Sequence, residues 1–212
     1  MLLADLRNEV VRTCQELLAA GLVVGTAGNV SARSGDLIVV SPSGVDYRTL
    51  TPEQVGVHRL DGTPVDAPLR PTSELPLHLA VYASADASAI VHTHSVAATA
   101  LSTVADALPA VHYYVAMFGG PVRVASYATY GSDELAGHVV HALRGRTACL
   151  MANHGAVVTG PDLHTALDAG RYLEWLCEVY LRALPGGAPR VLPDAEIELV
   201  AARLAAYGQQ RP

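Results

Sequence analysis

Four short, mainly apolar runs, at 37–40, 89–93, 122–125 and 148–152, restrict this chain's fold more than anything else in it. Each is shorter than an ordinary helix and has no polar face, so each reads as a strand buried within a sheet. Buried strands need helices laid over them, and the sequence supplies these around and between the runs. Leu3, Leu6, Val10, Cys14 and Leu17 recur every three or four residues and mark one face of a helix that Gly21 would end. Another helix follows Pro71-Thr72-Ser73-Glu74 and carries Leu75, His78, Leu79 and Tyr82, with Ser73 or Thr72 as its N-cap. Residues 95–101 read as helical, and a further helix before the 148–152 run has Ser132 or Asp133 to cap it.

The longest helical pattern covers 162–184, where Leu163, Ala166, Leu167, Tyr172, Leu176 and Val179 form a broad apolar face; Trp175 and Cys177 are assigned to the core with it. A last helix spans 194–206 and leads to Tyr207 and a polar tail. Residues 55–60 and the turn Asp61-Gly62 add a hairpin. Gly25 to Ser31 and Ser41-Pro42-Ser43-Gly44 read as loops rich in hydrogen-bond donors. With no repeat or low-complexity linker, the expectation is one α/β domain over residues 1–212, helices covering a mostly antiparallel sheet.

A single domain of this length buries roughly 70% of its unfolded surface and needs no cross-links to fold. Half of the residues are hydrophobic and 16% are charged, which excludes a disordered chain. The net charge of −6, with the basic residues, all arginines, scattered, leaves no basic footprint for nucleic acid or an anionic membrane, and neither is expected as a partner. No apolar run reaches membrane-spanning length. Asp5, Arg7 and Glu9 in the first turns break the pattern of a secretory signal, and Cys14, Cys149 and Cys177 are dispersed in apolar stretches. A reducing cytoplasm is the expected compartment.

His92 and His94 flank one threonine on a predicted strand, where alternate side chains share a face, so both imidazoles project to the same side. A third nitrogen is available from Asn153-His154-Gly155, where Gly155 permits a tight turn after another apolar strand. Three imidazoles with an acidic fourth ligand or a water suit tetrahedral Zn²⁺. An isolated His-X-His is a weak pattern in a chain with nine histidines, and unrelated histidines are the plain alternative. Glu74 is the best available acid or base, because backbone N–H groups and two hydroxyls converge at a helix start, where a phosphate also fits. On the residues alone, Thr72-Ser73-Glu74 reads first as a helix cap, and the Gly-rich hydroxylated segments read as turns. Neither nucleotide-binding fingerprint is present. Tyr113, Tyr114 and Tyr207 carry phenols able to donate a proton, although packing with a bonded hydroxyl is tyrosine's ordinary use. His58, His78, His138, His141 and His164 show no convergent partners and read as structural or solvent-facing.

Taken in order, Gly25-Thr26-Ala27-Gly28-Asn29-Val30-Ser31, Ser41-Pro42-Ser43-Gly44, Pro71-Thr72-Ser73-Glu74, His92-Thr93-His94, His112-Tyr113 and Asn153-His154-Gly155 resemble the motif series of the class II aldolase and adducin family. The order is more specific than any single motif, runs from the first helix to Tyr207-Gly208, and is closest to the family's L-fuculose-1-phosphate aldolases. The resemblance implies a compact α/β/α domain, a C4 homotetramer with active sites at subunit boundaries, one Zn²⁺ per subunit and a sugar-phosphate substrate. Position by position, it makes His92, His94 and His154 the zinc ligands, and Glu74 the acid that ligates the metal at rest and serves as base. Thr26, Asn29, Ser43, Gly44, Thr72 and Ser73 match the phosphate pocket. Tyr113 matches a proton donor contributed by a neighbouring subunit, and Tyr207 matches a tyrosine on a C-terminal segment that is mobile from about 207.

The implied reaction is reversible retro-aldol cleavage of a ketose 1-phosphate, L-fuculose 1-phosphate or a 5-deoxypentulose 1-phosphate, to dihydroxyacetone phosphate and a small aldehyde. Tyr130 and Leu204 stand where such enzymes carry phenylalanines near the aldehyde methyl group, which leaves the aldehyde preference open. Two activities of the same fold are alternatives: a sugar-phosphate 4-epimerase, which typically has Asp in place of Glu74, and a methylthioribulose-phosphate dehydratase. The full ligand set, the short length and the lack of a basic tail argue against a non-enzymatic, adducin-like scaffold.

Overall fold

Among residues 1–207, which the computed structural model describes, nine strands join in one sheet. They are β1 (Asn29–Ser34), β2 (Leu37–Val40), β3 (Gly56–Arg59), β4 (Pro64–Asp66), β5 (Ala89–Thr93), β6 (Ala107–Leu108), β7 (Val122–Ala125), β8 (Ala148–Met151) and β9 (Gly155–Gly160). Their spatial order is β4-β3-β2-β1-β5-β9-β8-β7-β6, and every pairing is antiparallel except that of β7 with β8. Six helices accompany the sheet: α1 (Ala4–Ala19), α2 (Leu75–Ser84), α3 (Val96–Ser102), α4 (Asp133–Ala142), α5 (Leu163–Ala183) and α6 (Asp194–Ala205). No helix among the described residues is long and apolar enough to cross a membrane.

The apolar runs lack a polar face because both faces of the sheet are covered. On β5, Ala89 and Val91 enter a cluster with α1 and the start of α5, whereas Ile90 joins Leu77 and Val81 of α2 and Leu135 and Val139 of α4. Farther along the first face, Ala156 and Val158 of β9 meet Ala98 and Leu101 of α3 and Leu173 and Leu176 of α5. Each fully buried Leu, Ile or Val contributes roughly 1.5–3 kcal/mol, more than the roughly 0.5–1 kcal/mol lost in ordering a Leu or Ile side chain. This alternation decides where the chemistry sits. His92 follows Ile90 by two residues on β5, so its ring emerges on the α2 face, beside the start of that helix.

The mostly antiparallel α/β domain expected from the sequence is the one observed, with four local differences. β9 is a central strand that the sequence does not announce, because glycines bracket its apolar residues and read as turns. They are needed for proximity: a Cβ on Gly155 would lie 2.0 Å from the Thr93 carbonyl oxygen, and one on Gly160 would lie 2.9 Å from the Ala166 nitrogen. β1 starts at Asn29, so the end of the expected 25–31 loop is paired in the sheet, Asn29 opposite His92. Glu74 itself, rather than Ser73 or Thr72, holds the N-cap position of α2, and Thr72 Oγ1 accepts the Glu74 N–H at 3.2 Å. Pro76 lacks the N–H that a Ser73 cap would bind. Trp175, expected in the core, is 42% exposed and meets His112 and Tyr114 at the surface, with Tyr172 against Tyr114. Helical spacing alone cannot separate a core residue from an apolar one left outside. Cys177 is buried, as are Cys14 and Cys149, and all three are free. The expected mobile tail lies, beyond Tyr207, outside the described residues.

Arg7 is the one charged α1 residue turned inward, and it ties that helix to the β3–β4 hairpin. Its guanidinium donates to the carbonyls of Val55 at 2.6 Å, Asp66 at 2.9 Å and Leu2 at 2.9 Å, and lies 2.5 Å from an Asp66 carboxylate oxygen. Since the Asp66 side chain is 45% exposed, water screens the ion pair, and the buried Val55 carbonyl is the partner that cannot be replaced. Arg7→Met should lower the unfolding free energy by about 1–3 kcal/mol, the cost of leaving a buried acceptor unmet. Asp66→Asn should cost about 1 kcal/mol or less. Urea titrations of both variants check this, and equal losses would refute the assignment.

Candidate metal centre and its cavity

Four side chains from three parts of the chain converge at the edge of the sheet. His92 is on β5, His94 lies one residue beyond its end, His154 ends the turn between β8 and β9, and Glu74 caps α2. In that turn Asn153 takes a left-handed backbone at φ 56°, a conformation asparagine tolerates better than most residues, and the His154 N–H closes onto the Met151 carbonyl at 3.1 Å. One donor atom from each of the four residues lies within 4.8 Å of all the others, and the three imidazole centroids are 4.7–4.9 Å apart.

The hydrogen bonds of these groups test whether a cation belongs among them. His92 Nδ1 bonds the Ala156 carbonyl at 2.9 Å, so a neutral ring donates there and turns its Nε2 lone pair inward. That nitrogen is 2.9 Å from His94 Nε2 and 3.0 Å from Glu74 Oε2. Facing acceptors at such distances require a proton or a metal ion between them. Glu74 Oε1 is buried, has no hydrogen-bond partner and lies 3.5 Å from His154 Nε2. Three imidazole nitrogens and one carboxylate are a donor set that suits a divalent transition metal, zinc among them.

Electrostatics favour the ligand forms of His94, His154 and Glu74. Burial pushes the pKa of His94 down to about 4, with His92 and His154 adding to the effect, and burial with the neighbouring His92 lowers that of His154. Both rings are therefore neutral, as a metal ligand must be. Burial disfavours charge on Glu74 too, but His92 and the hydrogen bonds from His92 and Asn29 outweigh it and hold the carboxyl well below the usual carboxylate range. For His92, the Glu74 carboxylate overrides burial and raises the pKa.

Glu74, His94 and His154 open onto a cavity of about 330 Å³, with His92 fully buried behind them. Thr26, Asn29, Ser43, Gly44, Thr72 and Ser73 all line this cavity, and so do Tyr127 and Tyr130. Among the described residues no Lys or Arg lines it, so an anion in it would be held by hydroxyls, an amide and backbone N–H groups. Tyr47 secures one wall: its hydroxyl donates to the Gly28 carbonyl at 2.7 Å. Tyr113 and Tyr207 do not line the cavity of their own chain; they are 43% and 86% exposed. Leu204 packs against the core around α3 and α5 instead of facing the cavity.

His58 packs within its own hairpin, His138 bonds the Ser126 carbonyl, His141 is exposed, and His164 is exposed beside Asp168, in keeping with a structural or solvent-facing role. His78 is the exception. It is fully buried, with Nε2 2.5 Å from Asn29 Oδ1 and Nδ1 2.7 Å from Ser31 Oγ. The signal for it in the sequence is its place four residues after Glu74, on the same helix face.

Comparison with known proteins agrees with this geometry. Residues 8–181 match the Class II Aldolase and Adducin N-terminal domain. The 5-deoxy-D-ribulose 1-phosphate aldolase of Bacillus thuringiensis serovar kurstaki is 36% identical over 99% of this chain and 100% of its own length. The L-fuculose phosphate aldolase of Escherichia coli K12 is 38% identical over 96% of this chain and 95% of its own. A solved structure of an L-fuculose 1-phosphate aldolase superposes with a TM-score of 0.94, at 36% identity, covering 97% of this chain and 98% of that one. A domain match over most of the chain, near-full-length relatives and a shared fold together make this protein a member of the class II aldolase and adducin family.

Proposed function

We propose that this class II aldolase catalyses the reversible retro-aldol cleavage of a deoxyketose 1-phosphate, L-fuculose 1-phosphate or 5-deoxyribulose 1-phosphate, to dihydroxyacetone phosphate and a small aldehyde. The observation that carries this reading is the opening of a Glu–His₃ cluster onto a cavity walled by neutral phosphate-type donors. The relatives named for these two sugar phosphates support the choice of substrate. His92, His94 and His154 hold one Zn²⁺, with Glu74 as the fourth ligand at rest. The metal supplies Lewis-acid polarisation of the ketose's neighbouring oxygens, which acidifies the adjacent carbon.

The protein's residues do the rest. Thr26, Asn29, Ser43, Gly44, Thr72 and Ser73 bind the phosphate and fix the pose of the reacting carbons. In the synthetic direction Glu74 takes a proton from the hydroxymethyl carbon of dihydroxyacetone phosphate, and in cleavage it returns that proton as the carbon–carbon bond breaks. A glutamate carboxylate, whose ordinary pKa is ~4.3, is a weak base, so its task depends on prior acidification of the substrate. The proton of the aldehyde-derived hydroxyl passes through Tyr113 of a neighbouring copy in a homotetramer. The surface made by exposed Tyr113 and Trp175 with the half-buried His112 and Tyr114 supports such a contact. Tyr207 closes over the site from the C-terminal segment, and the enzyme works in the reducing cytoplasm.

Release of dihydroxyacetone phosphate from the two sugar phosphates, by zinc-loaded protein and a chelated control, tests the reading. Metal-dependent release is expected, and the ratio of the two rates ranks the aldehydes. Its absence with zinc bound, accompanied by epimerised sugar or a dehydrated product, would transfer the site to one of the alternative activities. His92→Ala and His154→Ala should lose zinc on dialysis together with activity, and full retention of both would refute the ligand set. Glu74→Gln should stay folded and slow turnover by about 10²–10⁴-fold, the range of general acid–base catalysis. Tyr113→Phe should slow cleavage with zinc in place. Reassembled mixtures of the Tyr113→Phe and Glu74→Gln chains should recover activity that neither has alone, and no recovery would remove Tyr113 from a shared site.

A further inference from the structure

Behind Glu74, five side chains form one buried line of hydrogen bonds. Tyr82 Oη lies 2.8 Å from Ser31 Oγ, and Ser31 Oγ lies 2.7 Å from His78 Nδ1. His78 Nε2 is then 2.5 Å from Asn29 Oδ1, and Asn29 Nδ2 is 2.9 Å from Glu74 Oε2. Asn29 and Ser31 alternate onto the same face of β1, and Tyr82 and His78 stand four residues apart on α2, so strand and helix supply partners in matched steps. All five residues are nearly inaccessible to solvent.

The chemistry of the groups leaves one arrangement of protons while Glu74 is ionised. A carboxylate only accepts, so the atom of Asn29 facing it must be the amide nitrogen. Asn29 Oδ1 then faces His78 and must receive a hydrogen from Nε2. Burial lowers the pKa of His78 to about 3, so its ring is neutral and carries its lone pair on Nδ1. Ser31 therefore donates to Nδ1, and Tyr82 donates to Ser31. A turned Asn29 amide would set two acceptors against each other 2.9 Å apart, at the oxygen that also faces His92.

We infer that His78 is a positioning residue, which by holding the Asn29 amide in one orientation fixes how the Glu74 carboxylate is presented to the metal ligands and the substrate. This rests on the reading of Glu74 as ligand and base. Asn29 pins Oε2, which faces His92 Nε2, and so fixes where Oε1, which has no hydrogen-bond partner, stands beside His154. The same amide lines the cavity, so His78 also settles which face of Asn29 a bound phosphate meets. Removing the ring's donor would free both the amide and the carboxylate without touching any of the four ligands.

Zinc affinity by chelator competition, cleavage kinetics and the tautomer of His78 together test this. In ¹⁵N-histidine-labelled, zinc-loaded protein, His78 should be neutral with its proton on Nε2 from pH 5 to 9, and Ser31→Ala should mix the two tautomers. A proton on Nδ1 in the unaltered protein would overturn the inference. His78→Leu should weaken zinc binding and lower kcat, each by about 10–100-fold, the range for partners of metal ligands. His78→Gln, which can still donate to Asn29, should restore most of both. A folded His78→Leu protein with unchanged zinc affinity and kcat would sink the positioning role while leaving the aldolase reading intact. If the unaltered protein cleaves neither sugar phosphate, the aldolase reading fails, and zinc affinity and tautomer still decide this one. Should His78→Leu not fold, Ser31→Ala and the tautomer measurement carry the test.

Discussion

A side chain at position 155 would place a carbon 2.0 Å from the Thr93 carbonyl oxygen, so β9 can lie against the end of β5 only because Gly155 has none. That contact governs the rest of the centre. β5 brings His92 and the chain leading to His94; the turn into β9 brings His154; and the pairing of the two strands holds the three rings within reach of one another. The third imidazole thus depends on a backbone fit and not on a long side chain reaching across solvent. Gly28 repeats the device on the other side of β5, where an added Cβ would lie 2.8 Å from the His92 carbonyl and 2.5 Å from a Val23 methyl. The histidine strand runs between two glycine-dependent approaches, one toward the ligand turn and one toward the loop that begins the phosphate-type wall.

Electrostatic logic follows from this packing. A carboxylate 5% exposed, surrounded by imidazoles that burial keeps mostly neutral, is an incomplete arrangement of charge. Among the described residues the cavity wall brings no Lys or Arg to complete it. A site built in this way can take its positive charge from a bound cation, and its neutral wall can receive an anion without holding a permanent ion pair.

Much of this is legible in the sequence because it depends on local periodicity. The His92-Thr93-His94 spacing on an apolar run places two rings on one side, and Asn153-His154-Gly155 marks a tight turn carrying a third. The six hydroxyl, amide and glycine positions that line the cavity can be named from the order of their motifs. Less visible is whatever depends on register between distant segments. His78 reads as partnerless because Asn29 and Ser31 come from a strand 49 and 47 residues away, and only the sheet shows that both face α2. β9 is obscured because its glycines, needed for closeness, have the local appearance of turns. Trp175 and Tyr172 satisfy helical spacing while lying on the outside of α5, since an apolar stripe specifies a face and not its partner.

Tyr130, on the cavity rim, and its neighbour Gly131 obey different rules. The Tyr130 side chain is 67% exposed and borders the cavity, whereas a Cβ on Gly131 would fall 2.7 Å from the Ser73 carbonyl. A change at 130 alters only what the rim presents to a guest; a change at 131 shifts the backbone beside Glu74. Adjacent codons therefore carry separate liberties, one open to diversification of the guest and one tethered to the catalytic frame.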